Sequence, residues 1–221
     1  MNYRDLVTIQ LVLYDEQEDL VLKCLEKLKN FRIVILDNSN NLKLKESIQN
    51  KYKIDHYFLE KKNLGYSKGH NKLSKCVTSK FLLILNADCL IEEENIFKLI
   101  NCFETYQNVG IVSPTTFDYN KSNFTYNGGL LPEYGKKDII TEINGDTCFQ
   151  TVLGSSMMIK KKDFEDIGMF NENLFLFFSD DDLCRKFKLK KKSVIQVRNA
   201  IACHIHGQSK VKNVIKKIFL K

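Results

Sequence analysis

The chain has 221 residues, of which 43% are hydrophobic, enough to form one α/β domain around a single core without disulfides or metals. Its seven cysteines are odd in number and form no Cys-x-x-Cys pair, which argues against a disulfide framework or a zinc knuckle and favours a reducing compartment. The net charge is +7. The N-terminus does not resemble a signal segment, and no apolar stretch approaches the ~20 residues that a membrane-spanning helix needs. We therefore expect a cytoplasmic protein that is not integral to a membrane.

Short apolar runs alternate with amphipathic segments over the first half of the chain. Strands are predicted at residues 7–13, 32–36, 54–59, 81–85 and 109–112, and helices at residues 17–29, 42–51, 66–79 and 92–106. This alternation predicts an α/β fold with a doubly wound, mostly parallel central sheet covered by helices on both faces.

The pattern changes after Pro114. Residues 115–153 contain Gly128-Gly129 and no helical period, which predicts hairpins or a long functional loop. Regular elements then return as a strand at 155–159, a helical turn at 161–167, a helix at about 179–190, and strands at 194–197 and 201–205.

Polar residues follow the predicted strands at the edge where a doubly wound sheet binds its ligands. Asp15 follows the first strand, Asp37 the second and Asp88 the fourth, and residues 63–66 come after the third. Turn chemistry explains any one of them, but it explains their joint occurrence less readily. A carboxylate such as Asp88 after a buried strand is well placed to hold Mg²⁺ or Mn²⁺, because these cations prefer oxygen ligands.

A run of apolar residues at 175–178 ends in Ser179 and three consecutive aspartates, Asp180, Asp181 and Asp182. Adjacent negative charges repel one another, so the run indicates a nearby cation or a proton-transfer task. The first turn of a helix capped by Ser179 is an equally good explanation of this segment taken alone.

The basic charge lies at the C-terminal end. Residues 183–221 carry twelve lysines and arginines and no acidic residue, so residues 1–182 have a net charge of −5. In residues 210–221 apolar side chains recur at helical spacing with lysines between them, which fits peripheral contact with an anionic membrane. A terminal helix packed on the domain fits equally well. We expect no nucleic-acid partner, because the acidic front of the chain carries no binding motif.

Four blocks of sequence carry a resemblance to a known family. They are Asp37-Asn38-Ser39, residues 63–71, Asn86-Ala87-Asp88, and residues 154–209 with the three aspartates and His204. In this order the blocks resemble the inverting family-2 glycosyltransferases of the GT-A fold, particularly the bacterial rhamnosyltransferase-like branch, and they cover nearly the whole chain.

The resemblance implies an enzyme that moves a sugar from a UDP- or dTDP-sugar donor to a hydroxyl of a glycan or lipid-linked acceptor in cell-envelope polysaccharide synthesis. It implies one domain at residues 1–209, followed by the tail at 210–221. The half at 1–113 would bind the nucleotide sugar, and the half at 114–209 would bind the acceptor and carry the catalytic residues. The enzyme would sit in the cytoplasm, with peripheral contact to the inner face of the membrane as a further expectation.

The family's functional residues map onto individual positions of this chain. Asp180 matches the catalytic base, and Asp182 is a second catalytic candidate. Asp88 and His204 match the protein ligands of a divalent cation, Mn²⁺ or Mg²⁺, although His206 shares the strand face of His204. The remaining matches are donor-binding candidates, namely Asp37, Asn63, Gly65, Asn71, Asn86 and Gly154. We expect Asp181 and Asp182 to raise the proton affinity of Asp180.

Two departures from the family pattern keep an alternative open. Asn86 stands where aspartate is usual, and Ser179 stands where an acidic residue often precedes the base. The alternative is a degenerate relative that binds a nucleotide or assists a partner transferase without catalysis. A nucleotidyltransferase is less favoured, because no glycine-rich, lysine-anchored phosphate loop lies near the first strand.

Overall fold

The computed structural model describes residues 3–119, 123–125 and 143–205. The predictions for Gly128-Gly129, for His206 and for the tail at 210–221 lie outside these residues.

Strands and helices alternate along the described chain. The strands are β1 (Val7–Leu13), β2 (Arg32–Asp37), β3 (His56–Leu59), β4 (Phe81–Leu85), β5 (Cys89–Ile91), β6 (Val109–Asp118), β7 (Asn123–Thr125), β8 (Thr147–Cys148), β9 (Ser156–Lys160) and β10 (Ser193–His204). The helices are α1 (Tyr3–Leu6), α2 (Glu18–Leu28), α3 (Leu42–Lys51), α4 (Gly65–Ser74), α5 (Glu93–Thr105), α6 (Lys161–Asp166) and α7 (Ser179–Leu189). Each described helix is too short or too polar to traverse a bilayer.

The strands form one mixed sheet in the order β3-β2-β1-β4-β9-β6-β10-β5. Strands β3, β2, β1 and β4 are mutually parallel, and β10 is parallel to β6. Strand β9 runs antiparallel between β4 and β6. Strands β1, β2, β3, β4, β6 and β10 therefore all end on one side of the sheet, which we call the carboxyl edge. The predicted α/β architecture, with antiparallel strands in the second half, is confirmed.

The core forms because the central strands are apolar on both faces. All five residues of β4 are buried, as are six of the seven residues of β1. Continuous apolar runs of this kind are typical of strands covered by helices on both sides. One buried cluster contains the apolar faces of α2 and α5, and a second contains Phe164 of α6 together with Leu183 and Phe187 of α7.

Three details of the sheet differ from the sequence prediction. Strand β5 was not predicted, because three residues are too few to establish a period. Strand β6 continues past Pro114, where its pairing with β9 has already ended at Val112, so the missing N–H of proline costs no ladder bond to β9. Residues 193–204 form one strand rather than two, with a register shift between Val197 and Ile201.

Candidate active site at the carboxyl edge

The two predicted cation ligands meet at the carboxyl edge. Asp88 lies in the turn after β4, and His204 is the last residue of β10. Strand β5 leaves that turn antiparallel to β10 and pairs Cys89 with His204, which carries Asp88 to the end of β10. His204 Nε2 lies 3.2 Å from Asp88 Oδ1, and the N–H of Ile205 donates to the Asp88 carbonyl at 2.8 Å.

The chemistry of this pair suits a divalent cation that shares its coordination with a ligand. Two groups bound at right angles to a small divalent cation stand about 3 Å apart, close to the 3.2 Å between Asp88 Oδ1 and His204 Nε2. Within the described residues, no group of three His, Cys, Asp or Glu side chains is arranged to hold a metal ion. A cation here would therefore take further oxygens from the ligand or from water, as Mg²⁺ usually does with phosphates.

Asp180 is held by a backbone N–H from the neighbouring loop. The N–H of Gly154 donates to Asp180 Oδ2 at 2.8 Å, and the N–H of Asp181 donates to Oδ1 at 3.1 Å. Burial raises the pKa of Asp180 despite these bonds, and the charge of Asp181 raises it further. The expected rise is present, but burial rather than the neighbouring carboxylates is its main cause.

The cation pair and Asp180 lie on adjoining segments of backbone. The N–H of Asn86 donates to the carbonyl of Ser155 at 2.9 Å, and Leu85 is in register with Ser156. The loop that carries Gly154 therefore runs alongside the turn that carries Asp88. Asn86 and Gly154, both donor-binding candidates, form this connection through their backbone groups.

Tyr66 fixes Gly154 from the other side. Its hydroxyl donates to the Gly154 carbonyl at 2.7 Å, and the Ser67 hydroxyl donates to the Ser179 hydroxyl at 2.8 Å. The first bond joins the beginning of α4 to the Gly154 loop, and the second joins it to the beginning of α7. Burial raises the pKa of Tyr66 well above its ordinary value, so the phenol stays protonated and remains a donor. Tyr66 lies within the block at residues 63–71, but nothing in the sequence indicated this role.

Gly65 is required by the close approach of the segment before α7. Its φ is +77°, and a Cβ at this position would lie 2.4 Å from the carbonyl oxygen of Phe175. That same carbonyl accepts the N–H of Tyr66 at 2.7 Å. A side chain at residue 65 would therefore separate α4 from the segment leading into Asp180.

Gly65→Ala is expected to lower the free energy of unfolding by about 2 kcal/mol or more, because it combines a disfavoured backbone conformation with a steric clash. Two controls separate these causes. Gly168 also has a positive φ, +79°, but open space around it, whereas Gly145 has open space and no such φ. In urea unfolding, Gly65→Ala should be the most destabilised variant, Gly168→Ala the next and Gly145→Ala the least. Equal losses at 65 and 168 would show that the contact with Phe175 is unimportant.

Three donor-binding candidates make bonds within the protein. Asp37 is fully buried, and its carboxylate accepts from Ser39 N at 2.7 Å, from the Ser39 hydroxyl, from Asn41 N at 3.2 Å and from Tyr57 at 3.5 Å. Asn63 Oδ1 accepts the N–H of Gly65 at 2.8 Å. Asn71 exchanges two 3.0 Å bonds with the backbone of Phe170. As placed, these side chains shape the loops that border the edge.

The other two aspartates of the acidic run have different surroundings. Asp181 is buried, 3% exposed. Asp182 Oδ2 lies 3.6 Å from Lys186 Nζ, one helical turn further along α7. All three aspartates lie in the first turn of α7, where the helix dipole favours negative charge. The helix start is confirmed, but the expected cap is wrong, because Ser179 is the first residue of α7, Phe178 occupies the N-cap position, and no described side chain caps the helix. Asp180 also bonds the Gly154 loop, and its proton-transfer task stays a prediction.

Glu16 is a site residue that sequence reasoning missed. It follows β1 by three residues, and its Oε2 is buried without a hydrogen-bond partner. Burial first, and then the charges of Asp88 and Asp15, raise its pKa to about 7. The available signal was its position, because it comes directly after the Tyr14-Asp15 pair at the end of β1.

Glu16→Gln is expected to stabilise the protein at pH 8 and to have less effect at pH 5. A carboxyl whose pKa is raised on folding destabilises the folded state once the pH exceeds that raised value, and the penalty fades as the pH falls toward the unfolded value. The increase in the free energy of unfolding that the substitution produces should be roughly 2 kcal/mol larger at pH 8 than at pH 5. Thermal unfolding at both pH values tests this, with exposed Glu104 changed to Gln as the control. A gain independent of pH would contradict the assignment.

Comparison with known proteins gives one family and several relatives. The family model described as "Glycosyl transferase family 2" matches residues 8–168. The chain is 28% identical over 163 residues to a protein of Shigella flexneri named dTDP-rhamnosyl transferase RfbF, covering 72% of this chain and 54% of that protein. It is 24% identical over 195 residues to the rhamnosyltransferase WbbL of Escherichia coli K12, covering 78% and 73%. The chain thus spans about half the length of the Shigella relative.

Solved structures share the fold at low sequence identity. GalNAc-T7, crystallised with UDP, GalNAc and Mn²⁺, matches with a TM-score of 0.72 and 14% identity over 91% of this chain and 44% of that one. The mannosyltransferase PcManGT of Pyrobaculum calidifontis, in complex with GDP-Man and Mn²⁺, matches with a TM-score of 0.64 and 13% identity over 98% and 65%.

Proposed function

The chain belongs to glycosyl transferase family 2 and has the GT-A fold, and on that basis we propose that it transfers a sugar from a nucleotide-diphosphate donor to a hydroxyl group with inversion at the anomeric carbon. One observation carries this proposal. The Asp88–His204 pair and the partly buried Asp180, whose pKa is raised, lie on adjoining backbone segments at one edge of the sheet.

The donor is proposed to be a UDP- or dTDP-sugar bound with Mn²⁺ or Mg²⁺. The name of the Shigella relative specifies a dTDP-rhamnosyl donor, and the two solved structures contain nucleotides with Mn²⁺. Asp88 and His204 would hold the cation. When bound, it would neutralise the negative charge that develops on the diphosphate leaving group.

Asp180 is proposed as the general base. The acceptor oxygen attacks the anomeric carbon from the face opposite the diphosphate, and the acceptor O–H proton passes to the Asp180 carboxylate. The new carbon–oxygen bond forms as the bond to the diphosphate breaks, and its electron pair leaves with the diphosphate. A raised pKa makes the carboxylate a stronger base than an exposed aspartate, and turnover should fall as the pH drops through that raised value.

The surrounding residues are proposed to position this base. Gly154 donates to Asp180, and Tyr66 holds Gly154 in turn. Asp182, the second catalytic candidate, pairs with Lys186, and we assign it to balancing charge in the first turn of α7. Asp37, Asn63 and Asn71 would maintain the loops against which the nucleotide rests.

The proposed acceptor is a hydroxyl of a glycan or of a lipid-linked glycan in cell-envelope polysaccharide synthesis. The names of the Shigella and Escherichia relatives support rhamnosyl transfer. We place the reaction in the cytoplasm, because all seven cysteines are free thiols, as is usual in a reducing compartment.

A donor screen tests the proposed function. Purified protein is incubated with Mn²⁺ and a panel of UDP-, dTDP- and GDP-sugars, and mass spectrometry follows release of the nucleoside diphosphate and transfer to glycan acceptors. We expect turnover with at least one donor and its loss when EDTA removes the cation. Donor binding without any turnover would instead support the non-catalytic alternative.

A further inference from the structure

Four consecutive apolar side chains are exposed directly before α7. Phe175 is 51% exposed, Leu176 42%, Phe177 51% and Phe178 47%. We call these four residues the aromatic segment. Scattered exposed apolar residues are ordinary, but a contiguous exposed group marks a surface that binds something.

The backbone of the aromatic segment is firmly held, so the exposure does not come from a loose loop. The Phe175 carbonyl accepts the N–H of Tyr66 at 2.7 Å, and the Ser179 hydroxyl donates to the Leu176 carbonyl at 3.0 Å. Phe178 has a φ of +64°, a conformation that bulky residues rarely adopt. The fold therefore fixes this segment while leaving its side chains outside the core.

Exposed apolar side chains are concentrated on the same side of the molecule. Among the described residues, ten large apolar side chains are exposed, and eight of them belong to segments at the carboxyl edge. These eight are Tyr14, Leu42, Tyr119, Phe124 and the aromatic segment. The other two, Tyr106 and Leu189, lie at the C-terminal ends of α5 and α7, at the opposite edge.

Basic side chains flank the aromatic segment. The Phe175 carbonyl accepts the N–H of Tyr66 at the beginning of α4. Lys61 and Lys62 lie in the loop just before this helix and Lys68 lies in its first turn, and all three are exposed. The nearby acid Glu60 forms an ion pair with Lys72. Glu172 accepts a bond from the neutral amide of Asn71 at 3.1 Å, so its negative charge offsets one of the three lysines. This side of the segment therefore presents net positive charge, which an anionic lipid surface would attract.

We propose that the aromatic segment inserts into the interfacial layer of an anionic lipid bilayer, with Lys61, Lys62 and Lys68 beside the lipid headgroups. Aromatic side chains next to lysines form the combination that binds at this depth. The segment ends two residues before Asp180, so insertion would turn the carboxyl edge and its site toward the membrane. This goes beyond the proposed function, because binding to lipid requires neither donor nor acceptor.

Vesicle flotation with the full chain tests the proposal. The vesicles contain phosphatidylcholine with or without phosphatidylglycerol, and the variant is Leu176→Ser with Phe177→Ser. We expect binding to the anionic vesicles to weaken at least about tenfold, from the loss of two buried apolar groups. The matched control, Tyr106→Ser with Leu189→Ser, removes two exposed apolar residues at the opposite edge and should bind as the wild type does.

A second measurement locates the inserted residue. The chain has no tryptophan, so Phe177→Trp introduces a single reporter. With anionic vesicles its emission should move to shorter wavelength and be quenched by brominated lipids, whereas that of Leu189→Trp should not change. Equal behaviour of the two reporters, unweakened binding of the serine variant, or equal binding to neutral vesicles would overturn the proposal.

Self-association through the aromatic segment without vesicle binding would also overturn it, and analytical ultracentrifugation would detect this. A protein that binds vesicles as described but transfers no sugar would contradict the proposed function and leave the lipid surface in place.

Discussion

Asp180→Asn is expected to lower the rate of sugar transfer by about 10²–10⁴-fold, the usual contribution of a positioned general base, while the affinity for the donor stays within about twofold of the wild type. The amide oxygen can still accept the N–H of Gly154, which now lies 2.8 Å from Asp180 Oδ2, so the Gly154 loop should keep its arrangement. The amide nitrogen cannot accept the longer, 3.1 Å bond from the N–H of Asp181, which is the one contact that the substitution removes. The amide cannot take the acceptor proton. Steady-state kinetics and donor calorimetry together separate these two effects.

The control for this variant is Asp166→Asn, which removes one exposed carboxylate from the end of α6. It should leave both the rate and the donor affinity unchanged. Transfer by Asp180→Asn at more than a tenth of the wild-type rate would remove Asp180 from the role of base and direct attention to Asp182. A parallel loss of donor affinity would instead indicate a binding residue.

Asp88→Asn is expected to weaken cation-dependent donor binding by about 100-fold or more, since even partners outside the coordination shell typically contribute 10–100-fold to metal affinity. The substitution preserves size and leaves the backbone bond from Ile205 to the Asp88 carbonyl intact. It removes the carboxylate charge that attracts the cation. Calorimetry measures the affinity for the donor with and without Mn²⁺. The variant should lose the gain in donor affinity that Mn²⁺ provides, which we call the cation increment.

Two further variants sharpen this prediction. His204→Gln should also reduce the cation increment in donor affinity, because it removes the imidazole that lies 3.2 Å from Asp88. Glu104→Gln, on the far part of α5, should preserve it. If Asp88→Asn binds the donor with the full cation increment, the cation site lies elsewhere.

The alternation of apolar runs and amphipathic segments was enough to predict the α/β sheet, and with it the edge where the site lies. Asp88 was identifiable because it follows the fully apolar strand β4. Its proximity to His204 could not be derived from local pattern, because it depends on the antiparallel pairing of the short strand β5 with β10. That pairing is a long-range contact without a sequence period. In the sequence, only the family resemblance pointed to His204.

Burial and hydrogen-bond partners were the least predictable features. Asp37 looks like a ligand contact in the sequence, yet its carboxylate is fully buried and accepts bonds from its own loop. Glu16 looks like an ordinary surface acid near the start of a helix, yet burial raises its pKa to about 7. Whether a carboxylate faces solvent, protein or a ligand depends on segments packed against it from elsewhere in the chain. Residue type and spacing along the sequence do not predict which segments these are.

We expect the Asp88–His204 pair to hold a cation that faces the donor diphosphate, with Asp180 nearby. Anomalous diffraction at the manganese edge, from crystals grown with Mn²⁺ and UDP or dTDP, tests it most directly. One strong peak should lie within bonding distance of the Asp88 carboxylate and His204 Nε2, with the phosphates on the side facing the Gly154 loop. A bound nucleotide with no manganese peak at Asp88, or with the peak at other residues, would contradict it.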